Sequence, residues 1–262
     1  MTAVLGAVRF PLRTAGFAGL TFGMYGLLEA DTALSPEAER KAVLYKWMQR
    51  YGKGLLRLYG VETVAAGPYL EDGVRFPGTD ARGRGRIFVM NHRSGLDVPM
   101  TLAFIEATIV SRADLARWPV IGVAARRVGT LFVDRSSKQS GATVISAMVG
   151  AVERGRAVMV YPEGTTYPGD EVRPFRAGAF ITAQRTGADI VPIGLAYDGA
   201  GATFFEEPFA AHMRRVSAAK GTRAALVAGA ALDPDVGDVD SMQRVARDAV
   251  QALVHRARAL LA

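Results

Sequence analysis

The chain has 262 residues, a formal net charge of +7, 29 glycines, 12 prolines and no cysteine. That length can bury one α/β core with a small appended element, and the lack of cysteine excludes disulfides and thiolate-held metals. The positive balance points to an anionic partner, and the N-terminal pattern favours a membrane surface over nucleic acid.

Residues 14–28 carry no formal charge and lie between Arg9 and Arg13 on one side and Glu29 and Asp31 on the other. The run is shorter than the roughly 20 apolar residues of a spanning helix, so a half-inserted or interfacial helix is expected. On that helix Gly16, Gly19, Gly23 and Gly26 would line one face and admit a second helix closely. Residues 36–57 interleave Glu37, Glu39, Arg40, Lys41, Lys46, Arg50 and Lys53 with Ala38, Val43, Leu44, Trp47, Met48 and Tyr51. This amphipathic pattern carries aromatics suited to a headgroup boundary. Residues 1–58 are therefore expected to form a membrane-associated helical hairpin, the alternative being a soluble helical cap, and residues 59–262 an α/β domain.

From residue 59 onward, apolar runs alternate with amphipathic ones. Strands are predicted at 61–65, 86–90, 108–111, 130–134, 157–161, 190–197 and 223–228, and helices at 96–106, 118–126, 137–154, 176–186 and 239–261. Such alternation predicts an α/β fold, a mostly parallel central sheet flanked by helices, with its site at the carboxyl ends of the strands.

The second predicted strand runs into Asn91-His92-Arg93-Ser94-Gly95-Leu96-Asp97. On a continuous helix, positions five apart diverge by roughly 140°, so His92 and Asp97 meet only across a strand-to-helix turn, which Gly95 permits. An imidazole held by a carboxylate is a general base that can take the proton of an attacking hydroxyl. No cysteine and no Gly-x-Ser-x-Gly elbow supplies a covalent nucleophile, so direct acyl transfer in a ternary complex fits better, with a backbone N–H near the turn stabilising the oxyanion. The alternative is structural: Ser94 caps the following helix and Asp97 sits in its first turn.

Three further blocks follow: Gly129-Thr130-Leu131-Phe132-Val133-Asp134-Arg135, Val158-Met159-Val160-Tyr161-Pro162-Glu163-Gly164-Thr165, and Ile190-Val191-Pro192-Ile193-Gly194-Leu195-Ala196-Tyr197. Together with the His92 block they resemble the four sequence blocks of the glycerolipid acyltransferase family, over about residues 55–232. The resemblance implies that His92 is the general base and Asp97 its partner, and that Arg135, Glu163, Gly164 and Thr165 bind the acceptor lipid. It implies an acyl thioester on coenzyme A or acyl carrier protein as donor, membrane lipids as partners, and a place at the cytoplasmic face of the inner membrane. No metal or further cofactor is expected.

One departure concerns the headgroup. The third block of the family commonly reads Phe-Pro-Glu-Gly-Thr-Arg, whereas Thr166 stands here where the arginine would be. An arginine fork suits a phosphate monoester, and the Thr-Thr variant is similar to family members that acylate lyso-ornithine lipids. Arg112 and Arg176 are the candidate replacement headgroup contacts, and Arg126, Arg127, Lys138 and Arg173 also lie on or beside segments expected to approach the same strand ends. Glu163 is open to two roles, binding an acceptor or tying down its turn through backbone N–H groups. His212 and His255 are expected to be non-catalytic. A lysophospholipid such as 1-acyl-glycerol-3-phosphate, a lyso-aminolipid acceptor, and a non-catalytic lipid-binding protein all remain open.

Overall fold

A computed structural model describes residues 2–118, 120–133, 138–199, 202–234 and 237–262. Two helices lead, α1 (Thr2–Leu34) and α2 (Arg40–Tyr59). The left-handed Gly60, at φ +69°, ends α2 and returns its N–H to the carbonyl of Arg57. There follow β1 (Val61–Ala66), β2 (Ile87–Met90), α3 (Asp97–Phe104), β3 (Thr108–Arg112), α4 (Ile121–Arg127), β4 (Leu131–Val133) and α5 (Lys138–Glu153). The chain continues through β5 (Val158–Val160), α6 (Gly178–Thr186), β6 (Ile190–Asp198), α7 (Phe209–Ala218), β7 (Thr222–Ala228) and α8 (Val239–Ala259).

The seven strands form one sheet in the order β1-β7-β6-β2-β5-β3-β4. Neighbours run parallel except β6 and β7, which are antiparallel, so the sheet is mixed with a parallel centre. The sheet is covered on both faces, which explains why β2 reads as an unbroken apolar run with every residue buried. Phe88 and Met90 face a core built with Tyr45, Met48, Leu55 and Leu56 of α2 and Met100 of α3. Ile87 and Val89, one residue out of phase, face Val152 of α5, Phe180 of α6 and Val250 of α8.

Two expectations change. The first helix is not confined to residues 14–28 but runs through Arg9, Pro11, Glu29 and Asp31, because Arg13, Glu29 and Asp31 find partners on neighbouring elements. Arg13 donates to the carbonyls of Ser217 and Ala219 at 3.0 and 2.9 Å, Glu29 pairs with Arg127, and Asp31 accepts from Trp47 Nε1 at 2.7 Å. The glycine face also turns out differently. Gly16 abuts Leu58 of α2, but a Cβ added at Gly19, Gly23 or Gly26 would meet nothing within 4 Å. The contact with α2 is made instead through Phe17, Leu20 and the Thr21–Tyr51 hydroxyl pair at 2.8 Å. Among the described residues, no helix is long and apolar enough to cross a membrane.

Candidate active site

The central strand β2 delivers the turn, and Asn91 pins it. Its side chain both donates to the carbonyl of Leu195 (2.8 Å) and accepts from the N–H of Leu195 (2.9 Å), which ties the end of β2 to β6. The chain then turns so that His92 Nδ1 lies 2.6 Å from Asp97 Oδ2 in the first turn of α3. Asp97 is fully buried, whereas the His92 side chain is 22% exposed. The same Asp97 oxygen accepts the N–H groups of Arg93 (2.7 Å) and Ser94 (3.0 Å), and Oδ1 accepts the Tyr197 hydroxyl at 2.8 Å. Donors on this scale orient the carboxylate completely and hold the His92 proton on Nδ1, leaving Nε2 as the basic atom. Tyr161 stacks on the His92 ring, centroids 4.3 Å apart, with its hydroxyl 3.0 Å from that of Thr101. Burial, and then the negative charge of Asp97, push the phenols of Tyr161 and Tyr197 above their ordinary value, so both stay neutral donors.

Ser94 does not cap α3 in the expected way. The residue preceding the helix is Leu96, without a side-chain cap, and the Ser94 hydroxyl oxygen instead accepts the Leu96 N–H at 3.1 Å. The N–H groups of residues 92–95 are all engaged within the protein. The N–H of His92 goes to Glu163 Oε2 (2.7 Å), those of Arg93 and Ser94 go to Asp97, and that of Gly95 goes to His212 Nε2 at 3.0 Å. Each of these groups holds the turn's shape.

Glu163, just after β5, is buried and takes the second of its two expected roles in full. Oε2 accepts from His92 N–H and from Arg93 Nη1 (2.8 Å), and Oε1 accepts from the N–H of Arg173 at 2.8 Å. Arg93, unnoticed in the sequence, is among the largest fully buried side chains. It further donates to the carbonyls of His92, Gly169 and Glu171, binding the first block to the third. Gly164 is left-handed at φ +80°, and a Cβ there would collide with Nε of Arg176, so glycine lets that exposed guanidinium lie against the turn. Thr165 is exposed and, with Thr166, Tyr167, Pro168, Phe204, Glu206, Glu207 and Pro208, lines a cavity of about 520 Å³. Its walls join the His92–Asp97 turn, since the N–H groups of Tyr167 and Phe204 donate to the carbonyls of His92 (3.1 Å) and Arg93 (2.8 Å).

The remaining basic residues separate. Arg112 ends β3 but is engaged by both oxygens of Asp114 at 2.9 Å. Arg127 pairs with Glu29, and Arg126 donates to the carbonyl of Ala116. Arg135 lies outside the described residues. His255 sits beside Gln251 on α8, but His212 is fully buried against the turn, with a carboxylate, Glu207 Oε1, 3.5 Å away. Among the described residues, no group of three or more His, Asp or Glu side chains converges as a metal site.

A family model described as Acyltransferase matches residues 66–196, half of the chain, and the chain belongs to that family. A lyso-ornithine lipid O-acyltransferase of Pseudomonas aeruginosa is 32% identical over 123 residues, covering 47% of each chain. A 1-acyl-sn-glycerol-3-phosphate acyltransferase of Neisseria meningitidis serogroup B is 27% identical over 164 residues, covering 62% of this chain and 58% of that one. The chain thus spans about half the length of the curated relatives it matches. The crystal structure of the 1-acyl-sn-glycerophosphate (LPA) acyltransferase PlsC from Thermotoga maritima aligns with a TM-score of 0.73 at 18% identity, covering 99% of this chain and 98% of that one. The fold is shared.

Proposed function

We propose that the chain is an O-acyltransferase that moves a fatty acyl group from an acyl thioester, on coenzyme A or acyl carrier protein, to the free hydroxyl of a lysophospholipid such as 1-acyl-glycerol-3-phosphate. The observation that carries this reading is the 2.6 Å contact of a partly exposed His92 with a fully buried Asp97, inside the family match. His92 Nε2 takes the hydroxyl proton as the oxygen attacks the thioester carbonyl. The C–S bond then breaks, and the imidazolium returns its proton to the departing thiolate, so the products are the acylated lipid and a free thiol. Asp97 holds the ring and offsets its transient charge. Arg135, Gly164 and Thr165 are assigned to acceptor binding in this account, Arg176 and Arg112 to its headgroup, and Glu163 serves the acceptor side through the turns it ties together. No resident cofactor takes part.

Two observations favour a second acceptor, a lyso-aminolipid such as lyso-ornithine lipid: Thr166 stands in place of the arginine, and Glu206 and Glu207 line the cavity beside the turn. The N-terminal segment 1–58 serves in this reading to hold the catalytic unit on the cytoplasmic face of the inner membrane, supported by exposed Val8, Leu12, Phe22, Leu27 and Leu34 on α1. The test is thiol release from a long-chain acyl-CoA, and from acyl carrier protein, with lysophosphatidic acid, lyso-ornithine lipid or no acceptor. Stimulation by the phosphate acceptor supports the first reading and stimulation by the amine acceptor the second. Lipid binding without thiol release under every pairing would establish a non-catalytic lipid-binding protein instead.

A further inference from the structure

Among the titratable side chains outside the His92–Asp97 pair, His212 on α7 has the most specific surroundings. It is fully buried, its ring lies 4.6 Å from that of Phe204, and its Nε2 is reached by the Gly95 N–H (3.0 Å) and the Ser94 hydroxyl (3.2 Å). The main-chain N–H of Gly95 can only donate, so Nε2 must accept, and the ring proton must sit on Nδ1. On that side Glu207 Oε1, 3.5 Å away, faces the Nδ1 proton, while Arg215 Nη2, 3.2 Å from the ring, directs its two hydrogens at Glu207 and at the carbonyl of Thr203 (2.7 Å). From the turn, the charge of Asp97 also faces the ring. The approach is close: a Cβ at Gly95 would meet Sδ of Met213 at 2.7 Å and the Phe209 ring at 3.2 Å.

We propose that His212 is a positioning residue for the His92–Asp97 pair, holding the Ser94–Gly95 turn by accepting its two hydrogen bonds as a neutral imidazole. The role rests on the reading of His92 as the base. It follows from where the donors go: the N–H groups of Arg93 and Ser94 are gathered by Asp97, but that of Gly95 is aimed away from it and is satisfied by α7. Protonation would place a second N–H on Nε2, facing the Gly95 donor, and would release the turn. Burial foremost, then the Arg215 charge, holds the His212 pKa below the usual histidine value, against the opposing pull of Glu207 and Asp97, so the neutral form is the resting one. Glu207 also lines the cavity beside the turn, so the ring links the cavity wall to the catalytic loop.

The experiment measures kcat, both KM values and the pH profile of acceptor-dependent thiol release for the parent, His212→Phe, His212→Gln and His92→Ala. Phenylalanine fills the space without an acceptor, whereas the glutamine oxygen can take the place of Nε2. Expected are a kcat lowered roughly 10- to 100-fold in His212→Phe with KM values within about twofold of the parent, and recovery of most of kcat in His212→Gln. The acid limb of His212→Gln should be shallower than the parent's by one proton. A His212→Phe enzyme with parental kcat, or a glutamine variant as impaired as the phenylalanine one, overturns the proposal. Should His212→Phe fail to fold, His212→Gln decides: retained kcat with the shallower limb supports the role, and an acid limb identical to the parent's overturns it. Parental activity in His92→Ala would overturn the general-base reading and this proposal with it. An inactive His92→Ala beside an unimpaired His212→Phe overturns the positioning role alone.

Discussion

Asp97 receives four donors, from His92, Arg93, Ser94 and Tyr197, far more than a first-turn carboxylate needs to stabilise a helix. In the proposed general-base mechanism this carboxylate fixes the His92 tautomer, so Asp97→Asn should lower kcat by about 10²- to 10⁴-fold while unfolding in urea near the parent's midpoint. A variant within a few-fold of the parent would leave Asp97 only its structural role. Glu163 predicts the opposite balance. Glu163→Gln removes the charge facing the buried Arg93 and should cost roughly 3–5 kcal/mol of stability, read from denaturant unfolding. His212 adds a pH term of definite sign. Its folded pKa is depressed below the usual 6.5, so the unfolded chain binds the proton more readily. The associated stability is complete above the unfolded value and is lost as pH falls from there through the folded one. His212→Gln should flatten this acid loss in Tm. His92 and Asp97 were legible in the sequence because five residues separate them, and a single turn can join them. Glu163 was legible through its Pro-Glu-Gly block, but Tyr197 and His212 lie 100 and 118 positions from the residues they contact, and only the tertiary fold brings them to the turn.

Helices and strands were legible where the apolar period matched burial and were misread where polar partners intervened. The central strands fell close to their expected places because both of their faces are covered and β2, β5 and β6 read as apolar runs. The helix α7 went unnoticed: Phe209, Met213 and Val216 do recur at i, i+4 and i+7, but the stripe spans only ten residues and shares its inward face with the buried polar residues His212 and Ser217. The first helix outran its apolar segment for the related reason that charged residues at both ends are paired with neighbouring elements. Close approaches between elements make a sharp prediction. A Cβ at Gly52 of α2 would lie 2.6 Å from the Ala103 nitrogen and 2.8 Å from the Pro99 oxygen of α3. Gly52→Ala should therefore push α3 away, at about 1–3 kcal/mol, and should also lower kcat because α3 carries Asp97. Thermal unfolding and turnover measured on the same preparation would check both effects.

At the scale of the whole molecule, the His92–Asp97 turn sits at the carboxyl end of the central strand, and α2 belongs to the same core as β2 and α3. Across from the face of α1 that packs on α2, Val8, Leu12, Phe22, Leu27 and Leu34 stand exposed. At 100° per residue they fall within an arc of roughly 140°. An apolar face beside a net charge of +7 suits an anionic lipid surface. The paired change Phe22→Glu and Leu27→Glu should weaken sedimentation with anionic vesicles by at least about tenfold, with Tm unchanged. Equal vesicle binding would remove α1 from the membrane contact.

The most direct test of the account is acceptor-dependent thiol release by the parent and by His92→Ala, each verified as folded by its Tm. Loss of turnover by about 10²- to 10⁴-fold at an unchanged Tm is the predicted result. Acceptor-dependent release by His92→Ala at the parental rate would contradict it.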